Sequence, residues 1–449
     1  MDLSRSGPSI IESAFLRIRS HLGLSSLIYF HSIICCVSLV HVSYRQAYIP
    51  YDGDRLYYAA IVVAAFSVIS LLFVLARFSF GYFVGFYFYT MVLGFLWINN
   101  FTKYNYDHKL AGISAAASAL LFLLPALLIS APVKQVFALS THGLERFLKV
   151  ILIISVATIA VASTYNFRFT SLSNIYDFRG ELNFPTILGY LIGIVSGALL
   201  PFAFACYWAL NHRWWAVVTL LLLVLFFPIT LSKLAFFAPA WIVGLLILSR
   251  MFGTRITVIL SLLLPVLIGV TLILITIYPF NDPARYYFNV INIRMIATPS
   301  SAMDIYNDFF ASHPLTYFCP ISFLKPLTHC PYSDQIAVVM QNAYGFGNLN
   351  ASLFATEGIA SVGLFFAPLT AFVCGLIIAF GNRLSAGLPP RFILISGALL
   401  PQVFLNVPFT TTLLTHGAGI LFLLWYITPR TIFETRSAVS AAMTAPRPE

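Results

Sequence analysis

Charged side chains make up only 9% of this 449-residue chain, so chemistry is to be sought where they gather beside hydroxyls and rings. One gathering runs from Asn166 to Phe184 and holds Arg168, Tyr176, Asp177, Arg179 and Glu181. An arginine fork matches a pair of phosphate oxygens and keeps its charge in any surroundings. Tyr176 and Asp177 beside it add a ring and a carboxylate suited to a hydroxyl nucleophile. Without a ligand the same segment is a solvated loop with an internal Asp–Arg pair. The second gathering is the polar stretch 281–350, with Arg285, Arg294, Asp304, Asp308, His313, Lys325, Asp334 and a run of tyrosines and phenylalanines. A connector so long and so aromatic reads as a working surface. Inside it, Ser301-Ala-Met-Asp304 fits a capping box opening a helix over 301–312, with Met303, Tyr306 and Phe310 on one face. Asp308 and His313 then lie on its polar side or at its end, although a histidine before Pro314 is also an ordinary helix terminator.

Three smaller features complete the chemical inventory. Lys233, after Ser232 and between apolar runs, must snorkel to the interface or meet an anion. Glu357, about one turn into a span after Asn348 and Asn350, is either tolerated by the helix N-terminus or functional. Asp52-Gly53-Asp54-Arg55 is a strong turn signal, or an acidic pair for a metal or a sugar. No zinc spacing, P-loop or Gly-x-Ser-x-Gly occurs, and the expectation is no metal and no cofactor.

The elements that must position these residues are membrane helices. The hydrophobic fraction is 60% and the mean hydropathy +0.90, well above the ~45–50% apolar content of soluble domains. The fold class is therefore all-α and polytopic, with about twelve spans near 23–44, 57–76, 80–98, 111–131, 150–165, 185–210, 215–231, 235–249, 256–278, 352–379, 391–408 and 411–427. Residues 1–22 form a cytoplasmic segment with an interfacial helix over 9–22, and Arg5, Glu12, Arg17 and Arg19 argue against a cleavable signal. A bundle of nine spans (23–278), the large loop (279–351), three further spans (352–427) and a cytoplasmic tail (428–449) follow. With the N-terminus inside, the inner segments carry fifteen basic against five acidic residues and hold the whole net charge of +10. The basicity is thus a topology signal, not evidence for nucleic acid, and the long loop faces outward. Cys35, Cys36, Cys206 and Cys374 lie in spans, whereas Cys319 and Cys330 share the outer loop, where an oxidising compartment would pair them.

The layout resembles the O-antigen polymerase type of oligosaccharide repeat-unit polymerase. The resemblance rests on Ile-Tyr176-Asp177-Phe-Arg179 entering a span and on the Ser232-Lys233 turn. It rests also on a late outer loop with Ile-Tyr306-Asn-Asp308-Phe-Phe, His313-Pro314-Leu-Thr, and Asn348-Leu-Asn350 running into Glu357-Gly358. It implies an inverting glycosyltransfer at the outer face of a bacterial inner membrane. A growing glycan would leave its undecaprenyl-diphosphate carrier for a hydroxyl of the next lipid-linked unit, giving O-antigen, capsule or exopolysaccharide. Membrane lipid, a chain-length regulator and a flippase of the same pathway are the implied partners. The diphosphate would meet Arg179, Arg294 and Lys233, with Arg168 and Arg285 in reserve. The general base would be Asp177, then Asp308, then His313, and Tyr176, Tyr306, Asn348, Asn350 and Glu357 would contact glycan or acceptor. Three alternatives remain. An O-antigen ligase would need a His-Asn pair that the stretch from Asn348 lacks, and a polyprenyl-monophosphate transferase has only the Asp52 loop in its favour. A flippase or transporter would need broken half-helices, for which Pro401 and Pro408 near Asn406 are a single instance.

Overall fold

The computed structural model describes residues 10–171, 174–175, 178, 180–275, 282–321, 324–347, 349 and 353–433; of residues 10–20 and 282 only the backbone is described. All regular structure among them is helical. Among the described residues, ten helices are long and apolar enough to cross a membrane, or eleven counting one bent pair. Nine come first: α1 (Ile10–Ser43), α2 (Gly53–Leu75), α3 (Phe80–Ile98), α4 (His108–Leu128), α5 (Thr141–Ser163), α6 (Thr186–Ala209), α7 (Arg213–Thr230), α8 (Lys233–Met251) and α9 (Thr254–Ile275). The interfacial helix expected over 9–22 is not separate, because α1 runs unbroken into the first span.

α3 is the axis of the bundle. Its sequence is apolar or aromatic all round, and each of its residues is buried, as expected of a helix with no polar stripe. Ser79 starts it by accepting from the Tyr82 N–H at 3.1 Å. At one end of the bundle, arginines close helix C-termini whose last carbonyls lack helical partners. Arg255 donates to Val74 and Ala76 O at the end of α2, and Arg383 donates to Ala131 O beyond α4. Arg430 bonds to Trp425, Thr428, Leu384 and Ala386 O at 2.7–3.2 Å. These basic residues, grouped on one side by charge, thus also share one end of the fold.

The first part of the long polar stretch is helical and packed into the bundle. α10 (Asp282–Asn292) passes through a π-helical turn (Ile293–Ala297) into α11 (Thr298–Ser312) without a break. This element sinks among α9, α1 and α3. Asn292 Nδ2 donates to Ser38 Oγ at 3.0 Å and Val266 O at 2.9 Å, and Ser300 Oγ donates to Met91 O at 2.9 Å. Ser300 fits because Gly94 leaves space where a Cβ would collide with its hydroxyl. The capping box at Ser301 does not form, since Ser301 lies inside the helix and bonds back to Thr298 O at 3.1 Å. Nor is α11 an amphipathic surface helix, for residues on all its faces from Pro299 to Asn307 are buried.

A short α12 (Ile336–Tyr344) ends at Gly345, whose φ of 72° is the left-handed cap that glycine favours. α13 (Phe354–Ser385) starts as a π-helical turn and breaks at Gly363, φ 74° and ψ 172°. The carbonyls beside that break are taken up by the loop after α11, through Thr316 N–H to Ala360 O (2.8 Å) and Tyr317 N–H to Ser361 O (3.2 Å). A Cys319–Cys330 disulfide closes the remainder of this loop.

The expected eleventh and twelfth spans are broken into four short helices: α14 (Pro390–Ser396), α15 (Leu400–Asn406), α16 (Phe409–Thr415) and α17 (Ala418–Ile427). α16 and α17 are bent by 54°. Hydrogen bonds fix their ends. Thr410 meets Glu357 near one end of α13, and Arg430 meets Leu384 near the other. Residues 387–408 therefore run the length of α13, and 409–427 return.

Candidate functional site

α11 carries the carboxylates. Asp304 and Asp308 are four residues apart, hence on one face of the helix. The loop between α3 and α4 and the end of α12 close over them. Asp308 Oδ1 accepts from the Asn105 N–H at 2.9 Å, and Oδ2 accepts from the Tyr344 hydroxyl at 2.6 Å. Tyr106 bonds to Asp304 Oδ1. Asp308 is half-buried and retains lone pairs for a further donor.

Asp304 is completely buried, and among the described residues its Oδ2 has no hydrogen-bond partner. Burial pushes its carboxyl up to about 6; the Tyr106 and Thr102 hydroxyls pull the other way, and Asp308 adds to the rise. The local geometry agrees with a carboxylic acid. The single Tyr106 proton faces both Asp304 Oδ1 and Asn99 Oδ1, the latter at 3.0 Å. Asn99 Nδ2 donates to His108 O at 2.9 Å, which fixes the amide's orientation. Both oxygen contacts of Tyr106 are satisfied when Asp304 donates to it and Tyr106 donates to Asn99. Burial together with these carboxylates also pushes Tyr104 up to about 12 and Tyr106 and Tyr344 above the ordinary tyrosine range. The tyrosines are therefore neutral donors.

From Asp308 a line of rings leads to cations. Tyr344 packs edge-on against Tyr104, with centroids 5.6 Å apart. Two residues after Tyr344, Phe346 packs on Tyr48 at 4.6 Å. Tyr48 lies within electrostatic reach of Arg294, in the π-helical turn before α11. Arg45 sits over the Phe288 ring at 5.0 Å and close enough to Arg285 for the two charges to oppose each other. Like charges brought together raise the local positive potential and so suit an anion carrying more than one charge.

A second cluster joins the segment 166–184 to the α7–α8 turn. Asn166 Nδ2 donates to Pro228 and Ile229 O at 3.0 and 2.8 Å, and Ile175 and Phe178 pack with Phe227 and Leu231. Leu231 is fully buried with φ 46°, a left-handed conformation that strains a branched side chain. It sets Lys233 as the first residue of α8, beside the segment named from sequence. Arg168 is held by Glu181 at 2.8 Å.

The other expected site residues fare differently. Tyr176, Asp177, Arg179, Asn348 and Asn350 lie outside the described residues. His313 terminates α11, bonding to Phe309 O at 2.8 Å and stacking on the Phe309 ring, so the plain helix-end reading suffices. Tyr306, expected to touch glycan, is fully buried with its hydroxyl on Leu349 O. Glu357 is buried as well, accepting from Thr410 N–H and Oγ1 at 3.0 Å and from Thr356 at 2.6 Å, and so fastens α16 to the start of α13. Asp52 accepts from the Asp54 N–H at 3.0 Å, the geometry of a turn, and no metal-type cluster of His, Cys, Asp or Glu occurs among the described residues. Asp304 was read from sequence only as a capping residue, and Tyr104, Tyr106, Tyr344, Tyr48 and Arg45 were not named. For Asp304 the signal was its four-residue spacing from Asp308.

No known family, curated protein or solved structure matches this chain.

Proposed function

We propose that this multi-pass membrane protein polymerises lipid-diphosphate-linked oligosaccharide units at the outer face of a bacterial inner membrane. The observation that carries the reading is that Tyr344 bonds to Asp308 while Phe346, two residues on, packs on Tyr48, which lies within electrostatic reach of Arg294. It puts a proton acceptor and a cation on one segment of aromatic residues, and glycosyltransfer from a diphosphate calls for both a base and a cation. In the reaction the acceptor hydroxyl attacks the anomeric carbon with inversion. The bond from that carbon to the phosphate oxygen breaks, the undecaprenyl diphosphate leaves with the electron pair, and the hydroxyl proton passes to Asp308. Arg294, with Arg285 and Arg45 beside it, meets the leaving charge. Asp304, whose carboxyl burial holds above the ordinary carboxylate range, gives up its proton less readily and so limits the second negative charge beside Asp308. Asp177 is the rival base, and Lys233 with Arg179 the rival diphosphate site.

The deciding experiment is the glycan that accumulates in cells lacking the protein. Single repeat units on carrier lipid or on the outer-membrane acceptor are expected. Long chains retained on carrier lipid would point instead to a ligase, and units held at the inner face to a flippase.

One observation favours a translocator as the second reading, namely the breaks in the last four helices. The ends freed there are occupied by the protein itself, however. Glu357 takes the start of α16, and Trp241 Nε1 donates to Ala398 O at 3.1 Å.

A further inference from the structure

We propose that Tyr48, Tyr104, Tyr344 and Phe346 form a saccharide-binding subsite that seats one pyranose ring between Asp308 and Arg294. The inference rests on the glycosyltransfer reading and names how the sugar, as distinct from its diphosphate, is recognised. A pyranose has apolar C–H faces and a rim of hydroxyls, so its binding site needs open ring faces beside a few fixed polar groups. All four rings are only partly buried. They meet tilted or edge-on, at 42° for Tyr48–Phe346 and 80° for Tyr104–Tyr344, and such pairs leave ring faces unstacked. The polar groups are also present, since Asp308 accepts hydroxyl donors and the Tyr344 hydroxyl is anchored on it at 2.6 Å.

The backbone holds this arrangement in place. Phe346 stands between Gly345 and Gly347, whose φ values of 72° and 83° suit glycine, so the chain turns sharply on both sides of that ring. A pure packing contact would bury the rings fully, and these keep part of their surface open. An aromatic cage beside a carboxylate would also suit a quaternary ammonium, but Arg294 beside Tyr48 opposes a cation there.

The test uses the full chain in lipid nanodiscs and a panel of methyl glycosides of hexoses, 6-deoxyhexoses and N-acetylhexosamines, with tetramethylammonium as the competing cation. Saturation-transfer NMR should show saturable transfer to the ring C–H protons of at least one glycoside, undisturbed by tetramethylammonium. Tyr48→Ala and Phe346→Ala should each weaken binding roughly 2- to 12-fold, the range expected for one aromatic contact. Tyr48→Phe, which keeps the ring, should retain binding, and so should Tyr57→Ala, which removes an exposed ring elsewhere on the outer side. Absence of saturable transfer from the whole panel, binding unchanged in both alanine variants, or displacement by tetramethylammonium would each overturn the subsite. The cellular glycan analysis reports separately on the reaction. Ring-dependent glycoside binding with no glycan change in cells lacking the protein would refute the polymerase reading and leave the subsite standing. Accumulated single units with no ring-dependent binding would do the reverse.

Discussion

Asp304→Asn removes a buried ionisable group and keeps its shape, so its effect on stability should depend on pH. A carboxyl raised from 3.8 to about 6 in the fold costs about 3 kcal/mol when it must ionise, at ~1.4 kcal/mol per unit. The sign follows from linkage. The folded state binds this proton more tightly than the unfolded state, so the stability lost to Asp304 grows as the pH rises from about 4 to about 6 and stays constant above. The asparagine variant should therefore be more stable than the parent at pH 8, by up to about 3 kcal/mol. The gap should shrink below ~1 kcal/mol at pH 4, where the folded carboxyl is already neutral. Thermal unfolding in detergent, followed by tryptophan fluorescence at both pH values, measures the difference. A variant less stable than the parent by the same amount at pH 8 and pH 4 would refute the reasoning, and Asp304 would then be an ionised, well-solvated partner of Tyr106.

Further expectations follow from single contacts. Arg430→Lys should destabilise the protein by about 1–3 kcal/mol, read as a lowered unfolding temperature, because a compact ammonium cannot serve the four carbonyls the guanidinium holds; Arg391→Lys, exposed nearby, should leave it unchanged. Thiol labelling of unreduced protein should miss Cys319 and Cys330, whose bridge spans 11 residues of sequence and contributes ~3 kcal/mol by chain entropy; labelling of both before reduction would exclude it. A reporter active only in the cytoplasm should work when fused after Arg436 and fail near Pro326, and the opposite pattern would overturn the proposed topology.

What the sequence revealed and what it hid have physical causes. Membrane class and the first nine crossings follow from long apolar runs bounded by charge, a signal that needs no tertiary information. Of the breaks between α14 and α17, the one at Val407 is marked in the sequence by Pro408, whereas those at Gly397 and Gly417 were hidden inside runs whose hydropathy continues. Asp304 was misread because Ser301-x-x-Asp304 imitates a helix start, while the helix is already formed at Asp282, nineteen residues before Ser301 and across a π-helical turn. The loop from Asn99 to Asp107 carries no motif, and only folding brings Asn105 and Tyr106 onto α11. Arg430 looked like one more cytoplasmic charge until its carbonyl partners from two helix ends were in view. Glu357, open between structure and function from sequence, has its oxygens occupied by threonines.

The central claim is tested most directly by reconstitution. Purified protein in lipid vesicles, supplied with undecaprenyl-diphosphate-linked repeat units, should produce longer lipid-linked glycans and release one undecaprenyl diphosphate for each new bond. Asp308→Asn should abolish most of this activity. Arg294→Lys should slow it roughly 10- to 150-fold, the loss of one charge-assisted hydrogen bond in the transition state. Vesicles that make no longer glycan but carry the labelled units from one face to the other would contradict the account.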